Sequence, residues 1–204
     1  MDQPVAAPTR ANTAAAILAG GEGRRFGGLD KGWIELHGEP LAVRALRNMR
    51  RQVDEVCFIA NRELPRYRAL SVPVWSDDEP GHAGPMMGVL TALRRGSHDW
   101  LLIAPVDATA LPADLFSRLA AIEGDQPRLV ETASGWQPLC ALMPRRALHS
   151  LEAAWQGGER SLMRWLRQQQ AQAVRFDLAD GALSLNTPAE LAAQPLRSPH
   201  ESEY

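Results

Sequence analysis

Gly20, Gly21, Gly23, Gly27 and Gly28 follow directly on the apolar run Ala14 to Leu18, with Arg24, Arg25 and Lys31 set among and after them. Glycine lets a backbone turn tightly and approach a ligand, and successive peptide N–H groups form a cradle for anions. Full positive charges beside such a cradle suit a guest that carries phosphates. The spacing is not that of a P-loop, which needs GxxxxGK followed by Ser or Thr. Nor is it a dinucleotide fingerprint, because the third glycine position after Gly21-x-Gly23 holds Phe26. A flexible surface loop is the plain alternative, yet it does not account for cations placed just after a buried strand.

Other polar residues stand at or just after the ends of apolar runs: Asn61 after Glu55 to Ala60, Asp77 after Val72 to Trp75, and Asp107 after Trp100 to Val106. Asp107 is the first choice for a metal ligand, since Mg²⁺ takes one or two carboxylates and completes its shell with phosphate oxygens and water. The other reading makes it a cap for the next helix, through Thr109 to Pro112. Asn61 and Asp77 can accept from sugar hydroxyls or from a guanine N–H, but both types are also common in turns, and Asp78 competes for the role of Asp77. The histidines at 37, 82, 98, 149 and 200 have no ligand spacing, and no GxSxG occurs, so hydrolytic nucleophilic catalysis is not expected.

These residues need a scaffold that brings distant strand ends together. Pro40 reads as a helix start, with Leu41, Ala45, Leu46, Met49 and Val53 on one helical face. Further helices are expected over Pro85 to Arg95, stopped at Gly96, and over Leu111 to Ile122. Trp100 to Val106 reads as a strand buried on both faces. Arg128 to Ala133 and Trp136 to Met143 read as strands, Pro144 to Trp155 and Glu159 to Gln169 as helices, and Val174 to Phe176 as a short strand. Asn186-Thr187-Pro188-Ala189-Glu190 reads as the capped start of a last helix. This alternation predicts an α/β fold, Rossmann-like, in three layers (α/β/α) around a mostly parallel sheet. Ligands of such sheets bind outside the carboxyl ends of the strands, which is where the glycine loop, Asn61, Asp77 and Asp107 all fall.

The chain of 204 residues is long enough for one sizeable core, expected over 13–194 with flexible tails at 1–12 and 195–204. A net charge of −2 and the lack of any long basic run argue against a nucleic-acid surface. No apolar stretch is long enough to span a membrane and no signal-like block opens the chain, so a cytoplasmic protein is expected. Cys57 and Cys140 each lie in an apolar run and read as buried thiols rather than a disulfide.

Leu18-Ala19-Gly20-Gly21, followed by Arg25-Phe26-Gly27-Gly28-x-Asp30-Lys31, resembles the loop of nucleotidyltransferases that activate phosphorylated molecules with an NTP, and within them the MobA family of molybdenum cofactor guanylyltransferases. The resemblance runs from about Ala14 to Ala193. It implies the nucleotidyltransferase fold and transfer of GMP from GTP to the terminal phosphate of molybdopterin, with release of pyrophosphate. It implies Mg²⁺ on Asp107, and Lys31, Arg25 and Asp107 as the catalytic set. Leu18, Ala19, Gly20, Gly21, Lys31, Asn61, Asp77, Gly84 and Asp107 would bind the nucleotide, the helix after Gly84-Pro85-Met86-Met87-Gly88 presenting its N-terminus. Asn186 and Arg160 are candidates for acceptor or metal contacts, and a molybdenum-inserting enzyme would hand over the acceptor. Gln137-Pro138 and Glu22 depart from the family, which often has His-Pro and a basic residue there. Two rivals stand beside this reading: a sister enzyme using CTP or another NTP with molybdopterin or a sugar or alcohol phosphate, and a catalytically silent nucleotide binder on the same fold.

Overall fold

In a computed structural model, which describes residues 5–20, 28–79, 84–178 and 183, the apolar run after Asn12 forms strand β1 (Thr13–Leu18). A 3-10 turn (Lys31–Trp33) and a small hairpin, β2 (Glu35–Leu36) and β3 (Glu39–Pro40), lead into helix α1 (Leu41–Gln52). There follow β4 (Glu55–Ile59), α2 (Leu64–Arg68), β5 (Val74–Trp75), α3 (Pro85–Arg95), β6 (Trp100–Pro105) and α4 (Leu115–Ala120). The described chain continues through β7 (Arg128–Thr132), β8 (Gly135–Pro144), α5 (Ala147–Gln156), α6 (Leu162–Gln168) and β9 (Gln172–Arg175).

Among the described residues, seven strands form one sheet in the order β5-β4-β1-β6-β8-β7-β9. β5, β4, β1 and β6 are parallel neighbours, β7 and β9 pair in parallel, and β8 runs antiparallel between β6 and β7. Successive side chains of a strand point to opposite faces. Ala15 and Ile17 of β1, Val56 and Phe58 of β4, and Leu102 and Ala104 of β6 therefore enter one core, which α1 and α4 cover. Ala16 and Leu18, Cys57 and Ile59, and Leu101 and Ile103 enter the other, covered by α3, α5 and α6. The outcome is the expected three-layer, mostly parallel α/β architecture.

Apart from α2, which the sequence reading does not contain, the differences lie mostly at element ends. The helix expected over Leu111 to Ile122 is only α4, because Leu111 is used as a core residue ahead of Pro112. Pro144 completes β8 instead of opening α5, and α6 begins after Ser161, whose side chain accepts from Arg164 N. Residues 5–12, read as part of a tail, make defined contacts: Trp100 Nε1 donates to Ala6 O at 2.7 Å, and Arg10 bonds Asp54 and the Arg51 carbonyl. The expected last helix and the C-terminal tail lie outside the described residues. Cys57 and Cys140 are buried free thiols, pushed up to about 12 by burial, so neither is a nucleophile at neutral pH. No helix among the described residues is long and apolar enough to cross a membrane.

Candidate active site

The parallel strands β4, β1 and β6 end side by side, and their ends are stitched together by the backbone. Ala19 N donates to Ile59 O at 2.8 Å, and Val106 N to Leu18 O at 3.0 Å. This stitching sets Asp107, just beyond β6, beside the end of β1. Lys31 Nζ donates to Asp107 Oδ2 at 2.7 Å across 76 residues of sequence. The carboxylate is the more sheltered partner, 9% exposed against 27% for the lysine side chain. Asp107 does not cap the following helix: α4 begins at Leu115, after Asp114. A sheltered carboxylate beside a partly open ammonium is an arrangement an incoming phosphate can split, taking the cation and leaving the acid for another positive charge.

Asn61 and Asp77 meet at the neighbouring strand ends. Asn61 Nδ2 donates to Asp77 Oδ2 at 2.7 Å, and Asp77 N donates back to Asn61 Oδ1 at 2.9 Å. The second carboxylate oxygen of Asp77, Oδ1, is buried and receives no hydrogen bond among the described residues. Burial raises the pKa of Asp77, the Asn61 bond lowers it by less, and the charge of Asp78 adds to the rise. Asp78 itself is committed elsewhere: its carboxylate takes Arg94 at 3.1 Å and Arg95 at 3.0 Å, and its N–H donates to Thr91 Oγ1. Asp77 is thus held in place with an acceptor to spare, whereas Asp78 is a tether to α3.

Gly84, with φ of 81°, starts α3 in a backbone shape that favours glycine, and Pro85 occupies the first turn. Gly88 then lets the helix close on the strand ends: a Cβ there would lie 3.3 Å from Leu18 Cδ2 and 3.6 Å from Asp77 Oδ1. Leu18, Ala19, Gly20, Lys31, Asn61, Asp77, Gly84 and Asp107 consequently share one edge of the sheet. Gly21, Arg24, Arg25 and Asn186 lie outside the described residues. Arg160, expected near the acceptor, stacks its guanidinium 3.7 Å from the Trp155 ring centre and donates to the Trp155 and Glu159 carbonyls, which close the end of α5.

The sequence shows Asp30 only as a motif residue ahead of Lys31, with no role of its own, and does not single out Tyr67. Asp30, buried, accepts from Gly32 N at 2.9 Å and from Tyr67 Oη at 2.7 Å through one oxygen, Oδ1. An Asp before a short turn is a readable capping signal. Nothing local points to Tyr67.

The MobA-like NTP transferase domain matches residues 15–173. The molybdenum cofactor guanylyltransferase of Cupriavidus taiwanensis is 38% identical over 196 residues, covering 92% of this chain and 98% of that protein. Among solved structures, the molybdopterin-guanine dinucleotide biosynthesis protein A of Archaeoglobus fulgidus superposes with a TM-score of 0.69 at 23% identity, over 88% of this chain and 95% of that one. The 2-C-methyl-D-erythritol 4-phosphate cytidylyltransferase of Thermus thermophilus shares the fold with a TM-score of 0.65 at 12% identity, over 87% of this chain and 94% of that one. The chain belongs to the MobA-like NTP transferase family and, within it, to the molybdenum cofactor guanylyltransferases.

Proposed function

We propose that the chain transfers GMP from GTP to the terminal phosphate of molybdopterin in the cytoplasm, after a molybdenum-inserting enzyme hands over the acceptor. An acceptor phosphate oxygen bonds to the α-phosphorus of GTP, the bond to the β-phosphate breaks, and its electron pair leaves with pyrophosphate. Such a step needs placement and charge neutralisation more than covalent help. The observation that carries the reading is the Lys31–Asp107 pair, a cation from the 3-10 turn and a carboxylate just beyond β6, set beside the Asn61–Asp77 pair.

Lys31 leaves Asp107 for the triphosphate and neutralises charge that grows on the leaving pyrophosphate. Asp107 fits Mg²⁺ as a single sheltered carboxylate, since that ion takes one or two carboxylates and completes its shell with phosphate oxygens and water. When bound, the ion would offset phosphate charge. The Asp77 carboxylate accepts from the guanine N–H groups, held in place by its exchange of hydrogen bonds with Asn61. Leu18, Ala19 and Gly20 offer backbone groups, and Arg25 and Gly21 join the phosphate cradle. Asn186 and Arg160 are assigned to the acceptor side.

The test is thermal stabilisation by GTP, CTP, UTP, ATP and dTTP, each with Mg²⁺ and with EDTA. A ligand at about 100 times its Kd adds roughly 2.7 kcal/mol, a clear shift in Tm. GTP alone is expected to give it. A preference for CTP or dTTP moves the protein to a sister activity, and no response to any nucleotide removes the reading.

Asp77→Asn tests guanine recognition separately. Because its folded pKa lies above its unfolded one, Asp77 contributes stability below the unfolded value that is lost as pH rises through the folded value. The amide removes that loss, so the variant is expected to melt higher than the native chain at neutral pH, with the difference vanishing in acid. Its amide N–H₂ opposes the guanine donors, so GTP binding weakens at least about tenfold. Equal GTP affinity in the variant sinks the role of Asp77.

A further inference from the structure

The segment after Asn61 folds back over the loop that carries Lys31, and it does so through three unlike contacts. Arg62 Nη2 donates to Gly28 O at 2.6 Å, Tyr67 Oη donates to Asp30 Oδ1 at 2.7 Å, and the Arg66 guanidinium lies 4.1 Å from the centre of the Trp33 ring. The turn into α2 passes through Glu63 with φ of 48°, a left-handed conformation that costs energy in a residue with a Cβ. The approach is close enough that a Cβ on Gly32 would stand 2.1 Å from Tyr67 Oη. Tyr67 is wholly buried, wedged against Phe58 and Trp33 with ring centres 5.0 and 4.9 Å away. Burial, reinforced by Asp30, holds its phenol well above the ordinary range, so it stays a donor.

We infer that Tyr67 is a positioning residue for the triphosphate: through Asp30 it fixes the turn Lys31–Trp33, and so the direction from which Lys31 reaches its anionic partner. α2 thereby joins the nucleoside contact at Asn61, just before it, to the phosphate contact at Lys31. Asp30 Oδ1 takes both the Gly32 N–H and the phenol, so losing the phenol leaves the cap with one anchor of two. The inference rests on the reading that Lys31 meets the triphosphate of GTP.

The experiment is titration calorimetry of the full chain with GTP and with guanosine, comparing Tyr67→Phe with Phe58→Leu. Both variants alter the same aromatic cluster, but Tyr67→Phe keeps the ring and loses only the bond to Asp30, whereas Phe58→Leu loosens the packing and keeps that bond. Tyr67→Phe is expected to weaken GTP about fivefold, the worth of one buried hydrogen bond, and to leave guanosine unchanged. Phe58→Leu is expected to lower Tm and to weaken neither ligand. Unchanged GTP binding in Tyr67→Phe, an equal loss for guanosine, or an equal loss in Phe58→Leu each overturns the inference while the function stands. Failure of the native chain to bind GTP removes the function and the inference together.

Discussion

Asp107→Ala is expected to slow GMP transfer by about a thousandfold or more, the scale of removing several kcal/mol of charge stabilisation from a phosphoryl centre. The protein should stay folded. Asp107 follows β6 in a short turn and caps no helix, and among the described residues its carboxylate is tied to Lys31. With the lysine side chain 27% exposed, removing the acid strands no buried charge, so the loss in stability should be about 1 kcal/mol. Pyrophosphate release at saturating GTP and acceptor measures the rate, and a circular-dichroism melt checks the fold. In EDTA the variant should bind GTP at least as tightly as the native chain, because Lys31 is no longer held by Asp107. Mg²⁺-dependent turnover within about tenfold of native would take Asp107 out of the reaction, since no essential charge partner costs so little.

How far the sequence announces this molecule depends on how local each signal is. The helix over Pro85–Arg95 was readable to the residue, because a glycine, a proline and a terminal glycine punctuate it and its apolar face is continuous. α4 was overestimated, since Leu111 belongs to the core without belonging to the helix and a hydrophobic pattern cannot tell these apart. α2 was invisible: five residues with Pro65 in the first turn offer no period to detect. The antiparallel course of β8 follows from its short connection to β7 after Thr132, whereas its place between β6 and β7 is a tertiary choice.

The site divides along the same line. Residues at strand ends, Asn61, Asp77 and Asp107, could be found because an apolar run that stops at a polar residue is a local event. Their partnerships could not. The Asn61–Asp77 exchange spans 16 residues, Lys31–Asp107 spans 76, and Tyr67–Asp30 spans 37. Asp77 and Asp78 were equivalent as letters, and the structure separates them through α3: Thr91, Arg94 and Arg95 all engage Asp78 and leave Asp77 facing the strand ends.

Lys31→Ala is the second large effect expected, a fall of about a hundredfold in kcat/KM for GTP, comparable with losing one preorganised donor to developing negative charge. Its stability signature should differ from that of Asp107→Ala. Removing the lysine leaves the more sheltered member of the pair, at 9% exposure, as a carboxylate without its cation. Breaking a sheltered pair from that side costs more than breaking it from the exposed side. Lys31→Ala should therefore melt below Asp107→Ala even though it removes less activity. The double variant Lys31→Ala with Asp107→Asn separates the two consequences: the neutral amide no longer needs a counter-charge, so Tm recovers, while transfer stays lost. Steady-state kinetics and thermal melts on the three proteins decide it. Unchanged kinetics in Lys31→Ala would mean that the loop carrying this lysine does not meet the triphosphate, and recovery of activity in the double variant would mean that the pair acts only as a structural clasp.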